Sequence, residues 1–130
     1  MRILNDTLAH NGVEISKTPV DLSASVILDP MWVAHSTMFS VQLFFEGSPE
    51  GEFKLQVSND KGTSHKGEGF YDLRNLGLWS DVNCSQQAVS EAGDHVWNFE
   101  NPGFRWARVV WTPVGGSGQL VSARVNGKGV

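Results

Sequence analysis

The sequence contains little cysteine and no long hydrophobic run. Cys84 is the one cysteine among 130 residues, so neither an intrachain disulfide nor a cysteine-based metal site can form. No stretch approaches the ~20 apolar residues of a membrane-spanning helix, and the first residues lack the apolar segment of a signal peptide. We therefore expect a soluble chain that is made in a reducing compartment, folds without a disulfide and has no membrane partner.

Positive charge is also sparse. The chain has 10 Lys and Arg residues against 14 Asp and Glu residues, which gives a net charge of −4. The basic residues are scattered singly along the sequence, whereas nucleic-acid binding needs positive charge gathered on one face. We therefore expect no nucleic-acid partner.

Motifs of catalysis are missing as well. The sequence has no Gly-x-Ser-x-Gly elbow, and Cys84 has no nearby histidine that would activate it as a nucleophile. The histidines show neither His-x-His nor His-Glu-x-x-His spacing, so a zinc site would need several of them to converge through the fold. They are His10, His35, His65 and His95. We predict that the protein is not an enzyme and uses no cofactor or metal.

A calcium site is the alternative that we weighed at the segment 58–62, Ser-Asn-Asp-Lys-Gly. Asp60 could join Asp72 or Asp81 around a hard cation, since Ca²⁺ takes oxygen ligands from loops. The Asp-x-Asp-x-Asp-Gly spacing is absent, and Asn, Asp and Gly are the residues that a turn requires. We therefore interpret this segment as a turn.

The sequence does contain several segments in which apolar and polar residues alternate, and this pattern is typical of half-buried strands. Gly-rich or Pro-rich segments at 47–51 and 113–118 predict hairpins between such strands, and 61–69 predicts a long exposed loop. About eight strands at this spacing predict an all-β, antiparallel β-sandwich that is jelly-roll-like. The predicted strands are 20–28, 39–46, 52–58, 78–82, 86–89, 95–99, 104–112 and 119–125.

The domain organisation follows from the length and from this pattern. A chain of 130 residues is large enough for one core and too short for two typical domains. We predict a single β-sandwich domain over 19–130. The preceding segment, 1–18, is predicted to be an N-terminal arm or a first edge segment.

The tryptophans are the candidate functional residues. If Trp111 faces the core, then alternation places Trp106 and Arg108 on the outer face of the same strand. Exposed tryptophan beside arginine is typical of protein interfaces, and tryptophan can also stack on a sugar ring. Core packing, a protein interface and a carbohydrate site therefore stay open. The interface or ligand candidates are Trp106, Arg108, Trp79 and Trp32.

Residues 53–60, 78–82, 104–112, 116–120 and 127–129 together resemble small virion structural proteins of tailed bacteriophages. In that group a strand ending in a Ser-Asn-Asp type of turn is followed by a Trp-containing loop, an Arg-Trp-x-Arg type of strand and a Gly-Ser-Gly hairpin. The resemblance implies a decoration, cement or adaptor subunit in the virion, made in the host cytoplasm. It further implies a homo-oligomer that docks on capsid or tail proteins, with the N-terminal segment making contacts to neighbours.

A carbohydrate-binding β-sandwich module is the second hypothesis. Such a module would use the same fold and would expose its tryptophans to a glycan, including a host glycan in the case of a virion protein. Loss of sugar binding on replacement of Trp79 or Trp106 would favour this hypothesis.

Overall fold

The computed structural model describes residues 2–34, 36–59, 79–83, 85–100 and 104–129, with side chains from Thr7 onward. Within these ranges every regular element is a β-strand, so no helix there is long or apolar enough to cross a membrane. The strands are β1 (Arg2–Thr7), β2 (Ala9–His10), β3 (Val13–Glu14), β4 (Val20–Asp21), β5 (Val26–Ile27), β6 (Met31–Trp32), β7 (Ser36–Ser58), β8 (Ser80–Asp81), β9 (Gln87–Val89), β10 (Gly93–Glu100) and β11 (Trp106–Gly129).

Two long strands, β7 and β11, form a central antiparallel ribbon. They pair from Trp106 opposite Ser58 to Gly129 opposite Ser36. One half of the ribbon is flanked by β5 and β6 beside β11 and by β8 and β9 beside β7, and we call it the first sheet. The other half is flanked by β1 and β4 beside β11 and by β10 beside β7, and we call it the second sheet.

The ribbon folds back on itself, and this bend creates the sandwich. Positions 45 and 53 of a straight strand would lie about 26 Å apart. The rings of Phe45 and Phe53 instead have centroids 5.4 Å apart, and both belong to one buried core that includes Val41, Leu55 and Val125. The structure therefore confirms the predicted fold class, an all-β antiparallel sandwich of the jelly-roll-like type.

Both predicted hairpins are wrong, because the two Gly-rich segments pair with each other across the ribbon. Gly47 lies opposite Gly118, and Pro49 lies opposite Gly116. Gly47 and Gly116 have φ angles of 85° and 68°, which favour glycine. A register shift between Pro113 and Gly115 marks a bulge, and bulges bend a strand. The segments that were expected to reverse the chain instead bend a continuous ribbon.

The predicted strand 20–28 is also interrupted. A turn separates β4 from β5, and Asp21 closes it by accepting hydrogen bonds from the Ser23 amide at 2.9 Å and the Ser23 hydroxyl at 2.8 Å. These bonds lower the pKa of Asp21. Val20, Leu22 and Val26 are buried, as the alternation predicts. A turn that directs these side chains toward the core produces the same pattern of burial as a continuous strand. The predicted loop 61–69 lies outside the described residues.

The N-terminal segment contains a hairpin that we did not predict. Asn11 and Gly12 have φ angles of 52° and 84° between β2 and β3, as a type I′ turn requires. The buried carboxylate of Asp29 holds this turn by accepting hydrogen bonds from the Asn11 amide at 3.1 Å and the Gly12 amide at 2.8 Å. Before it, β1 pairs with the end of β11. The division of the chain at residue 18 stays a prediction.

Candidate functional site

The four candidate residues meet on the solvent side of the first sheet. Trp106 on β11 pairs with Trp32 on β6, and their rings pack edge to face with centroids 4.9 Å apart. The guanidinium carbon of Arg108 lies 4.1 Å from the ring centroid of Trp79. We call these four residues the tryptophan cluster. Residues from three distant parts of the sequence thus form one surface feature.

Solvent exposure differs among the four residues of the tryptophan cluster. Trp106 does face away from Trp111, but its side chain is 0% exposed, because Trp32 and Trp79 pack against it. Arg108 is 8% exposed. Trp106 thus lies on the predicted face but is covered, and the tryptophans that reach solvent are Trp32 and Trp79, which are partly buried.

A row of hydrogen-bonded polar side chains adjoins the tryptophan cluster. Arg108 Nε donates to Gln56 Oε1 at 2.9 Å, and Gln56 Nε2 donates to Asp81 Oδ1 at 2.9 Å. Lys54 Nζ lies 3.1 Å from Asp81 Oδ2. We call Lys54, Gln56 and Asp81 the polar row. The side-chain amide of Gln56 accepts one of these hydrogen bonds through its oxygen and donates the other through its nitrogen. The orientation of this amide is therefore determined, and the row has one defined arrangement.

The charges of this surface are set by these contacts. Hydrogen bonds from Gln56 and Lys54 lower the pKa of Asp81, so it is ionised at neutral pH. Burial lowers the pKa of Arg108, but a guanidinium stays protonated in proteins. The tryptophan cluster and the polar row therefore carry two cations, Arg108 and Lys54, and one carboxylate, and Glu52 adds a second carboxylate on the same side of β7.

The polar row was missed because its members are ordinary in the sequence. Alternation places Lys54 and Gln56 on the outer side of β7, opposite the buried Phe53 and Leu55, and such positions are usually only solvated. Only the register, with Gln56 opposite Arg108, makes them part of a site. No property of the local sequence specifies this register.

Asp81 is one of the three aspartates of the calcium alternative, and in the structure it pairs with Lys54. The other two aspartates of that alternative lie outside the described residues. Among the residues that the structure does describe, no three His, Cys, Asp or Glu side chains are grouped as metal ligands would be.

A shallow depression lies on the surface at the bend of the ribbon. Two carboxylates, Asp21 and Glu46, line it together with Gly47, Ser117, Gly118 and Gln119. Its lining contains no aromatic side chain on which a planar or cyclic ligand could stack. The tryptophan cluster with the polar row is therefore the better candidate site.

The fold and this surface define the chain as a β-sandwich with an aromatic and polar outer face. No protein-family model and no curated protein matches the chain. A similar solved structure is chitosan-binding module 1, derived from a chitosanase/glucanase of Paenibacillus sp. IK-5. Its TM-score is 0.53 at 18% identity, with 95% of this chain and 92% of that one covered, and the likeness shows a shared fold.

The coat protein of Tobacco streak virus is also similar, with a TM-score of 0.41 and 8% identity over 98% of this chain and 88% of that chain. The resemblance to phage virion proteins stays a prediction.

Proposed function

We propose that the protein is a non-enzymatic carbohydrate-binding module whose site is the tryptophan cluster with the polar row. The observation that carries this proposal is the position of Trp32 and Trp79 on an open sheet face, directly beside the polar row. Binding sites combine aromatic surface with a few placed polar groups. The fold shared with a chitosan-binding module supports the proposal.

The chemistry of a sugar ring fits this surface. The C–H face of a pyranose is apolar and packs on an indole ring, which offers a large contact area at low entropic cost. Hydroxyl groups at the ring edge both donate and accept hydrogen bonds. Lys54 offers donors and Asp81 offers acceptors next to Trp79, at partly exposed positions where water can be displaced.

The charges favour a neutral or acidic polysaccharide. Arg108 is the charged group that packs on Trp79, so it would repel the ammonium group of a protonated glucosamine bound there and attract the carboxylate of a uronic acid. We therefore propose a ligand class that differs from the chitosan of the similar module. This selectivity can be tested by comparing the binding of polymers that have related geometry but different charge.

Replacement of Trp79 by alanine is expected to weaken polysaccharide binding about tenfold or more, because truncation of a tryptophan at the centre of a binding site costs ~2 kcal/mol or more and a tenfold change needs ~1.4 kcal/mol. The change also removes the ring on which Arg108 packs. Affinity electrophoresis or calorimetry with polygalacturonate, a neutral β-glucan and chitosan would measure the effect. Val114→Ala is the control, since Val114 is an exposed apolar residue at the bend, outside the tryptophan cluster and the polar row. Unchanged binding by Trp79→Ala, or binding to none of the three polymers, would contradict the proposal.

Binding of the neutral β-glucan, which has no titratable group, is expected to be constant in mild acid and to fall only below the ordinary aspartate pKa of about 4. The pKa of Asp81 is held below its ordinary value, so the carboxylate persists as the pH falls and is lost only once the pH passes that lowered pKa. Protonation then breaks its contact with Lys54. Titration of β-glucan binding against pH would show this loss, and Asp81→Asn should bind the β-glucan several-fold more weakly, without the acid-dependent decrease. A decrease that persists in Asp81→Asn would assign the acid effect to another group.

A structural role in a phage virion is the second candidate. It is favoured by the large apolar side chains Met38, Phe44 and Val96, which are exposed on the second sheet and suit contacts between subunits. The role predicts that the genes beside its own encode portal, capsid or tail proteins. A neighbourhood of polysaccharide-degrading enzymes would instead support the first candidate.

A further inference from the structure

The outer face of the second sheet has an ordered pattern of side chains. The outward residues of β11, β7 and β10 alternate with buried ones, and the two registers align them in rows across the three strands. In the order β11, β7, β10 the rows are Lys128–Met38–Glu100, Asn126–Ser40–Asn98, Arg124–Gln42–Val96 and Ser122–Phe44–Asp94. We call this surface the second-sheet face.

Charge on the second-sheet face is divided by strand. The two cations, Arg124 and Lys128, lie on β11, and the two carboxylates, Asp94 and Glu100, lie on β10. Large apolar side chains that are about two-fifths exposed lie in the first and last rows of β7, Met38 and Phe44, and on β10, Val96. The two middle rows of β7 carry Ser40 and Gln42. β7 thus lies between a positive margin on β11, beyond which β1 continues the sheet, and a negative margin on β10.

We propose that the second-sheet face binds a second copy of the chain through a twofold axis parallel to β7. Rotation about this axis exchanges the two margins, so Lys128 of one copy lies over Glu100 of the other. Arg124 lies over Val96 of the other copy and one row away from its Asp94. Two sheets that pack face to face are separated by ~10 Å, a distance that long side chains bridge.

The charges select this axis over the alternative. A twofold axis perpendicular to the strands would place β11 over β11 and β10 over β10 with the row order reversed, so that the carboxylates of Glu100 and Asp94 would face each other and Lys128 would face Ser122. Juxtaposed like charges are unfavourable, whereas the parallel axis pairs both margins with opposite charge. The same face is therefore self-complementary in only one of the two orientations.

The size of the face predicts a weak dimer. The face is three strands wide, at ~4.8 Å per strand, and four rows long, with the rows two residues apart at ~3.4 Å per residue. These dimensions give about 400 Å² per copy, or about 800 Å² in total. This is below the ~1,200 Å² of stable interfaces, so association should depend on concentration. The tryptophan cluster lies on the first sheet and stays open in such a dimer, which would present two sugar sites and gain affinity for a polymer.

Sedimentation equilibrium from about 10 μM to about 1 mM would test the proposal, since mass action makes the dimer fraction depend on concentration. Wild-type protein should pass from monomer to dimer in this range. Lys128→Glu and Glu100→Lys should each weaken the dimer at least fivefold. The double variant should restore it, and a mixture of the two single variants should form a heterodimer. Under a perpendicular axis Lys128→Glu would not weaken the dimer and Glu100→Lys would strengthen it, and either result would overturn the proposal.

Two controls separate the proposal from other effects. Lys17→Glu changes the net charge as Lys128→Glu does but lies in the turn after β3, so it should leave the dimer intact. Phe44→Ser should weaken the dimer without lowering the melting temperature, and Val114→Ser, an exposed apolar residue at the bend, should not.

A strict monomer at about 1 mM would overturn the proposal, as would equal weakening by Lys17→Glu. Polysaccharide binding by each monomer should be the same in all of these variants, so failure of the dimer and failure of the sugar site are separate results.

Discussion

Replacement of Gly116 by alanine is expected to lower the free energy of unfolding by about 3 kcal/mol or more. Gly116 has a φ angle of 68°, which strains any other residue, and a Cβ there would collide with the Ser48 carbonyl oxygen of the paired strand. It would also lie 3.1 Å from the Glu50 amide nitrogen. Because the obstacles are backbone atoms of β7, the ribbon must separate at its bend, where the two sheets are joined.

Gly115 offers a matched control one position earlier. A Cβ at Gly115 would meet only the Glu50 Oε2 atom at 3.4 Å, the end of a flexible side chain, so Gly115→Ala should change stability by less than about 0.5 kcal/mol. Urea unfolding of the two variants would measure the difference. For a domain of this size, the loss in Gly116→Ala corresponds to a melting temperature about 10 °C lower. Equal stability of the two variants would show that the bend does not depend on close backbone contact.

Replacement of Trp111 by alanine is expected to cost about 4 kcal/mol. Trp111 is 1% exposed and packs on Phe53 with ring centroids 4.5 Å apart, in the part of the core that the bend encloses. Its indole Nε1 also donates a hydrogen bond of 2.8 Å to the Leu22 carbonyl oxygen, which ties the turn after β4 to the core. The variant therefore loses both core volume and a buried hydrogen bond.

Trp111→Phe separates these contributions. It keeps most of the apolar volume and loses the hydrogen bond, so the expected cost is about 1–2 kcal/mol. Denaturant unfolding monitored by circular dichroism would rank the variants as wild type, Trp111→Phe and Trp111→Ala in falling stability. A larger cost in Trp111→Phe than in Trp111→Ala would be inconsistent with a cavity as the main cause.

Local signals in the sequence were sufficient for the fold class. Side chains alternate between the faces of a strand with period two, so the apolar positions of β7 and β11 could be assigned to the core before the structure was known. The Asn11-Gly12 turn had an equally local signal, because this dipeptide favours a type I′ hairpin, but its flanking strands are too short to alternate.

The bend of the ribbon could not be predicted in the same way. Gly-rich segments with proline at 47–51 and 113–118 meet the requirements of a hairpin, and they also meet those of a bulged bend in which two backbones approach closely. The deciding fact is that each segment pairs with the other. Pairing between residues this far apart depends on the whole core, which is buried only when both halves of the ribbon fold over it.

The same distinction between local and long-range information applies to the candidate site. By itself the sequence determined that Trp106 and Arg108 share the face opposite Trp111, because alternation is a property of neighbouring residues. The tertiary structure decided that Trp32 and Trp79 cover Trp106 and that Gln56 meets Arg108, because register and packing join residues that are distant in the chain. Strand periodicity is local, whereas register depends on hydrogen bonds and core packing throughout the sandwich.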